Sequence, residues 1–311
     1  MKDGLLLVDK HAGCTSHDIV QQARRLMGQR KIGHCGTLDP TATGLLVLTL
    51  GGATRLTRFL IQAPKVYQGT IRFGIETDSY DAAGEVVAER STAGLDPQAI
   101  AAAMGELTGT IDQVAPRFSA KKIHGQKYYE LARRGEEVPQ ESKPVTVFEF
   151  SPQGELEHDQ QGFRLSCSSG TYARTLAHDL GTRLGCGAHL CQLRRLQVGP
   201  FKVDDAATLA VLQERAQNRP ADAPADDVSW LGSSWISFDH IPLPFGEVVA
   251  DAQQEQRIQQ GQTVLVRDLP AEEGDWVKLV NRRQRFIAVG TVIERIGKGS
   301  VGVIQPRVVF K

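Results

Sequence analysis

Two apolar runs, Gly4 to Val8 and Gly44 to Leu50, most constrain what this chain can fold into. Each is bounded by glycine or a charged residue and is too short for an ordinary helix, so each reads as a buried strand. Further strand patterns follow at residues 65–74, 145–150, 163–167 and 190–198. Helical spacing interrupts them irregularly. Ser16 is the expected N-cap of a helix in which Ile19, Val20, Ala23, Leu26 and Met27 share one face, and Gly28 can close it. Shorter helices are predicted over residues 53–61, 97–107 and 171–184. Strands outnumber helices and no regular β-α-β order repeats. The expected class is therefore α+β, built on a mixed or antiparallel central sheet.

The C-terminal part has a different texture. Residues 216–230, rich in Ala, Asp, Pro and Asn, predict a linker. From about Phe245 onward, short apolar runs at 264–266, 276–280, 285–289 and 301–304 alternate with turn residues and predict a small β-rich domain. At 311 residues the chain can hold one large domain and one small one. The expected division is 1–230 and 240–311. No apolar run approaches the roughly 20 residues that span a bilayer, and Met1-Lys2-Asp3-Gly4 does not open a signal peptide. The five cysteines form no C-x-x-C pair, which suits free thiols in a reducing compartment. A cytoplasmic location with no membrane contact is expected.

The formal net charge is zero, but the charges are unevenly spread. Residues 1–75 carry ten Lys/Arg against four Asp/Glu, and residues 117–134 carry six Lys/Arg against Glu130 alone. Residues 200–260 carry four Lys/Arg against ten Asp/Glu. Two basic regions beside an acidic one can hold a polyanion, although the same numbers also describe a well-mixed surface. In the second basic region Lys121, Lys122 and Lys127 lie among Phe118, Tyr128 and Tyr129. Cations interleaved with aromatic rings suit phosphate contact and base stacking, and a solvated amphipathic helix is the alternative.

The chemically richest segment is Gly33-His34-Cys35-Gly36-Thr37-Leu38-Asp39-Pro40-Thr41-Ala42-Thr43-Gly44. It has no period and leads into a buried strand. An aspartate fixed by a following proline there is either a plain turn or a carboxylate on a rigid support.

This segment resembles the catalytic loop of the TruB family of pseudouridine synthases, with its His-x-Gly-x-Leu-Asp-Pro-x-Ala-x-Gly pattern. Further elements resemble the same family in the same order: Gly4 to Lys10, Lys65-Val66-Tyr67, Pro116 to Lys122, Gly170-Thr171-Tyr172-Ala173-Arg174, and Leu193-Arg194-Arg195. Ordered matches over residues 4–200 are far more specific than a single motif. Ser169 departs from the family's frequent lysine, and Ala173 from a larger aliphatic residue. Beyond about residue 210 the resemblance is loose, and the tail is similar to PUA-like domains.

The resemblance implies a role for each matched residue. Asp39 takes the place of the catalytic carboxylate, Tyr67 of the tyrosine that stacks on the target base, and Arg174 of the arginine that pairs with the aspartate. Leu193 matches the apolar residue closing the pocket, Tyr172 a second tyrosine near the site, and His34 the histidine filling the gap left by a flipped nucleotide. Residues 117–143 match an insertion that grips RNA. The implied substrate is uridine 55 in the T-arm of tRNA. The implied enzyme acts as a monomer, without metal, cofactor or obligate protein partner. A guanidinium beside Asp39 is expected to keep its pKa low. A guide-RNA-dependent synthase and a non-catalytic RNA-binding protein are the competing readings. A glycoside hydrolase would need a second carboxylate near Asp39, and the matched segments supply none. Cys186, His189 and Cys191 cluster in sequence but fit no common zinc spacing.

Overall fold

The computed structural model describes residues 2–116, 141–224, 226–269, 271–297 and 301–310, and the backbone of 122–123 and 126–127. The first strands are β1 (Gly4–Lys10), β2 (Ile32–His34) and β3 (Thr43–Leu50), with helix α1 (Ser16–Met27) between β1 and β2. A short helix α2 (Thr57–Leu60), entered through a 3-10 turn at Gly51–Leu56, leads to β4 (Lys65–Phe73) and the hairpin β5 (Ile75–Thr77) and β6 (Val86–Glu89). Helix α3 (Pro97–Glu106) and β7 (Gly109–Val114) precede a two-residue ladder, β8 (Lys122–Ile123) and β9 (Gln126–Lys127). Long strands β10 (Ser142–Glu157) and β11 (Gln160–Cys167) follow, then helix α4 (Ala173–Arg183), β12 (Ala188–Val198), β13 (Phe201–Lys202) and helix α5 (Leu209–Gln217).

These strands build one mixed sheet in the order β14-β1-β3-β12-β4-β11-β10-β7, where β14 is Trp235–Ser237. The β12–β3 junction is parallel, at Arg194↔Thr43 and Arg195↔Gly44, while the neighbouring pairings run antiparallel. The α+β class and mixed sheet agree with the expectation. Gly44 makes the parallel junction possible. Its φ is +98°, and a side chain on it would collide with the backbone of Arg195.

Local differences from the sequence reading have physical causes. Thr15, not Ser16, caps α1, through a reciprocal capping box with Asp18. Ser16 is instead buried, and its Oγ accepts from Leu38 N at 2.8 Å and donates to Leu38 O at 3.1 Å. The helix expected over 171–184 begins at Ala173, because the Tyr172 backbone is held by Gln113 in both directions. The stretch expected as a linker, residues 216–230, ends by packing Val228 and Trp230 on the core of Leu6, Val8 and Leu46, and the residues on either side of it are tied to the large sheet. Leu231 is fully buried, Arg215 donates to its carbonyl, and β14 closes the sheet edge against β1.

The tail forms the expected β-rich unit. It comprises β15 (Glu247–Ala250), helix α6 (Ala252–Gln259), β16 (Val264–Arg267), β17 (Trp276–Asn281), β18 (Phe286–Ile296) and β19 (Val301–Val309), in sheet order β15-β17-β18-β19-β16. It shares a core with the large sheet: Phe286, Val289 and Val308 pack with Leu5, Leu7, Leu45 and Val47. Phe238 stacks on Phe286 at 5.1 Å, and Trp276 meets Phe59 edge-on at 4.9 Å. Among the described residues no helix is long and apolar enough to cross a membrane.

Candidate active site

The loop before β3 carries Asp39, and buried polar side chains pin it from several directions. Arg195, only 1% exposed, donates from Nη2 to Gly36 O at 3.1 Å, from Nη1 to Thr37 O at 3.4 Å and from Nε to Leu45 O at 2.7 Å. Ser16 holds both backbone groups of Leu38. Lys10, fully buried, donates to Pro40 O at 3.3 Å, Ala42 O at 2.6 Å and His11 O at 3.0 Å. The backbone on both sides of Asp39 is thus anchored, and the carboxylate faces the cavity.

That space is a cavity of about 340 Å³. Asp39, Tyr67, Tyr172, Arg174 and Leu193 all line it, so the structure brings together five of the candidate residues from distant parts of the chain. Lys65, Arg195 and the turn Ser168–Thr171 complete the walls. Tyr67 comes from β4, paired with Arg195 on β12 and Leu165 on β11. Leu193 lies two residues from Arg195 and so shares its face of β12. Arg174 sits in the first turn of α4, 4% exposed, with Nε 3.0 Å from Asp39 Oδ2 and Nη2 3.4 Å from Oδ1.

His34 is placed differently. It is half-buried at the end of β2 and does not line the cavity, and its Nδ1 is buried without a hydrogen-bond partner among the described residues. Burial, with Arg195 nearby, lowers its pKa and favours the neutral ring. Lys121 lies outside the described residues. Lys122 and Lys127 face each other across the β8–β9 ladder, and their side chains lie outside the described residues. The expected RNA-gripping insertion, residues 117–143, falls largely there too.

Charge in the cavity differs from expectation in two respects. Burial raises the pKa of Asp39 above the ordinary carboxylate value and outweighs the opposing pull of Arg174; Asp81 adds a further upward push. Desolvation wins because the loop is packed behind the carboxylate, although 37% of the side chain remains accessible from the cavity. Secondly, a second carboxylate does stand close by. Asp81, 8% exposed, lies 3.3 Å from Arg174 Nη1 through Oδ2. It is committed as an acceptor, since Oδ1 takes hydrogen bonds from Ser79 Oγ at 2.7 Å and Ala83 N at 3.0 Å. It therefore acts as a counter-charge to Arg174 rather than as a free acid. Burial also raises the phenol of Tyr67, against the opposing pull of Arg195, and lowers Lys65 to about 8.

Asp81, Lys10, Arg195 and Ser16 were not legible as site residues. In sequence Lys10 merely follows an apolar strand pattern and Ser16 reads as a helix cap. Asp81 lies in a turn whose importance appears only when α4 packs against it. Among the described residues no group of three or more metal-ligating side chains occurs. His189 Nδ1 is bonded to Ile75 O at 2.9 Å, and its Nε2 lies 3.6 Å from Cys191 Sγ.

A sequence profile described as the TruB family pseudouridylate synthase N-terminal domain matches residues 24–173. Profiles of the tRNA pseudouridylate synthase B C-terminal domain and of the C-terminal region of pseudouridine synthase II TruB match residues 174–229 and 246–310. The tRNA pseudouridine synthase B of Solibacter usitatus is 40% identical over 94% of this chain and 96% of its own. The chain belongs to the TruB family. The Nitrosococcus oceani protein of the same name is 39% identical over 94% of this chain and 91% of its own, and that of Aromatoleum aromaticum is 50% identical over 68% of each. A Cbf5-Nop10-Gar1 complex contains a chain of the same fold, with a TM-score of 0.75 at 24% identity, covering 100% of this chain and 85% of the other. As a TruB-family pseudouridylate synthase the protein is an isomerase, and the cavity around Asp39 is the place to look for its chemistry.

Proposed function

We propose that this enzyme converts uridine 55 in the T-arm of tRNA to pseudouridine, with Asp39 as the catalytic carboxylate. The observation that carries the reading is the Asp39–Arg174 pair, held in a cavity that Tyr67 also lines. Isomerisation breaks the N1–C1′ bond, turns the uracil and forms a C5–C1′ bond. The proton leaves C5 and N1 ends protonated, so nothing is gained or lost overall. An ionised Asp39 can attack the nucleotide or stabilise positive charge at C1′. Arg174 orients it. Tyr67, neutral because its phenol is buried, offers a flat ring for the extruded base and in this reading relays the C5 proton. Leu193 and Tyr172 close the cavity around the base.

Extruding a base costs a few kcal/mol, which stacking on Tyr67 offsets. In this reading His34 fills the gap in the RNA, and Lys121, Lys122 and Lys127 grip its phosphates. Residues 1–230 form the catalytic unit, with β14 returning to its sheet edge, and 240–311 form a supporting tail. The enzyme works in the cytoplasm as a monomer with no obligate protein partner and no cofactor. Relatives at 39–50% identity are named tRNA pseudouridine synthase B, which favours tRNA over a guide-directed target.

The test uses a tRNA transcript labelled with tritium at uracil C5. Release of tritium to water is expected with no guide RNA, metal or cofactor added. Release that requires a guide RNA would replace this reading with the guide-dependent one, and binding without release would make the protein a non-catalytic RNA binder.

A further inference from the structure

We propose that Tyr80 and His178 are positioning residues for the reaction: their stacked rings fix the turn that presents Asp81 to Arg174. This rests on the proposed role of Asp39 and Arg174. Asp81 belongs to the turn between β5 and β6, and that turn is strained. Tyr80 has φ +64°, in the left-handed region that a bulky side chain rarely adopts. Such a conformation persists only where the surroundings over-determine it. Two contacts with α4 do so. The Tyr80 ring lies on the His178 ring with centroids 4.0 Å apart and planes within 14°. One residue on, Asp81 pairs with Arg174.

Arg174 and His178 are four residues apart on one helix and so project from the same face. Tyr80 and Asp81 are neighbours in one turn. The stack and the ion pair are therefore two clamps between the same two elements. The turn also has backbone ties: Leu190 N donates to Tyr80 O at 3.0 Å, and Thr77 Oγ1 donates to Asp81 O at 2.7 Å. The Leu190 tie, with Ala82 N donating back to Leu190 O at 3.0 Å, sets the height of the turn on β12, and the stack sets its distance from α4. His178 Nδ1 is buried without a hydrogen-bond partner among the described residues, while its ring makes the stack on Tyr80. Loosening the stack lets Asp81 retreat, frees Arg174 to swing, and leaves Asp39 less well aimed.

The test compares single-turnover tritium release by wild type, Tyr80→Gly, Tyr80→Phe, His178→Ala and His178→Phe, with Asp39→Asn alongside. Glycine relieves the left-handed strain but removes the ring. If strain alone mattered, Tyr80→Gly would be at least as active as wild type. The expected result is a loss of about tenfold in the rate constant for Tyr80→Gly and His178→Ala, with KM nearly unchanged, because misplacement acts on the reacting geometry. The two Phe variants, which keep a ring, should stay within about twofold of wild type. In an Asp81→Asn background His178→Ala should cause no further loss beyond about twofold, since the two act through one contact. Should Tyr80→Gly fail to fold, His178→Ala, an alanine in a helix, still decides the matter. Wild-type rates for both ring-removing variants, or a full additional loss in the Asp81→Asn background, would overturn the inference while leaving the reading of Asp39 intact. Release by Asp39→Asn would instead overturn that reading.

Discussion

Arg174 holds Asp39 through two nitrogens, at 3.0 Å from Nε to Oδ2 and 3.4 Å from Nη2 to Oδ1, yet the carboxylate still titrates above an ordinary aspartate. The guanidinium is shared with Asp81, and the protein around the loop removes more hydration than one shared cation restores.

A pH profile reads this balance. On the proposed role of Asp39 the reaction needs its ionised form, so kcat/KM should fall on the acid side, at a pH above the usual carboxylate value of about 3.9. The signs follow from the neighbours. Asp81→Asn removes a like charge that raises Asp39, so the acid limb should move to lower pH. Arg174→Met removes the cation that lowers it, so the limb should move to higher pH. An acid limb at or below the ordinary value in the wild type would contradict the burial of this carboxylate.

Lys10 offers a stability test. Its ammonium is fully buried and satisfies carbonyls on both sides of Thr41. Lys10→Met fills similar volume but leaves the Ala42 carbonyl without its donor, while Pro40 O keeps the bond from Gly13 N at 2.9 Å. It should cost about 1–3 kcal/mol, the range for leaving a buried acceptor unsatisfied, seen as a lower midpoint in urea. It should also lower kcat, because the loop carrying Asp39 loses an anchor. A variant as stable and active as wild type would show that the loop is held without Lys10.

The shared core between the two sheets makes a separate claim. Phe286 is 4% exposed and packs on Phe238, Phe310 and the strands of the large sheet. Phe286→Ala should cost about 3–5 kcal/mol. Calorimetry should show one transition in the wild type, moved to lower temperature in the variant. Two separate transitions in the wild type would mean that the tail melts independently of the catalytic sheet.

Much of the architecture was legible because it is local. Gly28 ends α1 in the left-handed conformation, φ 63°, as glycine after a helical pattern predicts. The strand runs at β1, β3 and β4 bury the residues whose apolar pattern announced them. Asp39, Tyr67 and Arg174 were legible only through the resemblance, since residues 28 or more positions apart carry no mutual spacing signal. What could not be read depends on tertiary packing. Nothing in sequence distinguishes Arg195, 1% exposed and holding the loop, from Arg194, which pairs with Asp9 at 2.7 Å. Asp81 and Asp78 share one acidic turn, and only the approach of α4 selects Asp81 for Arg174. The rise in the Asp39 pKa likewise follows from how much protein surrounds the loop, which a neighbouring arginine in a motif does not reveal.

On the proposed reading one carboxylate, that of Asp39, performs the isomerisation. The most direct measurement is single-turnover tritium release from C5-labelled tRNA by Asp39→Asn at saturating enzyme, with transcript binding measured in parallel. Binding close to wild type with no detectable release is the expected result; release at a rate within about tenfold of wild type would contradict it.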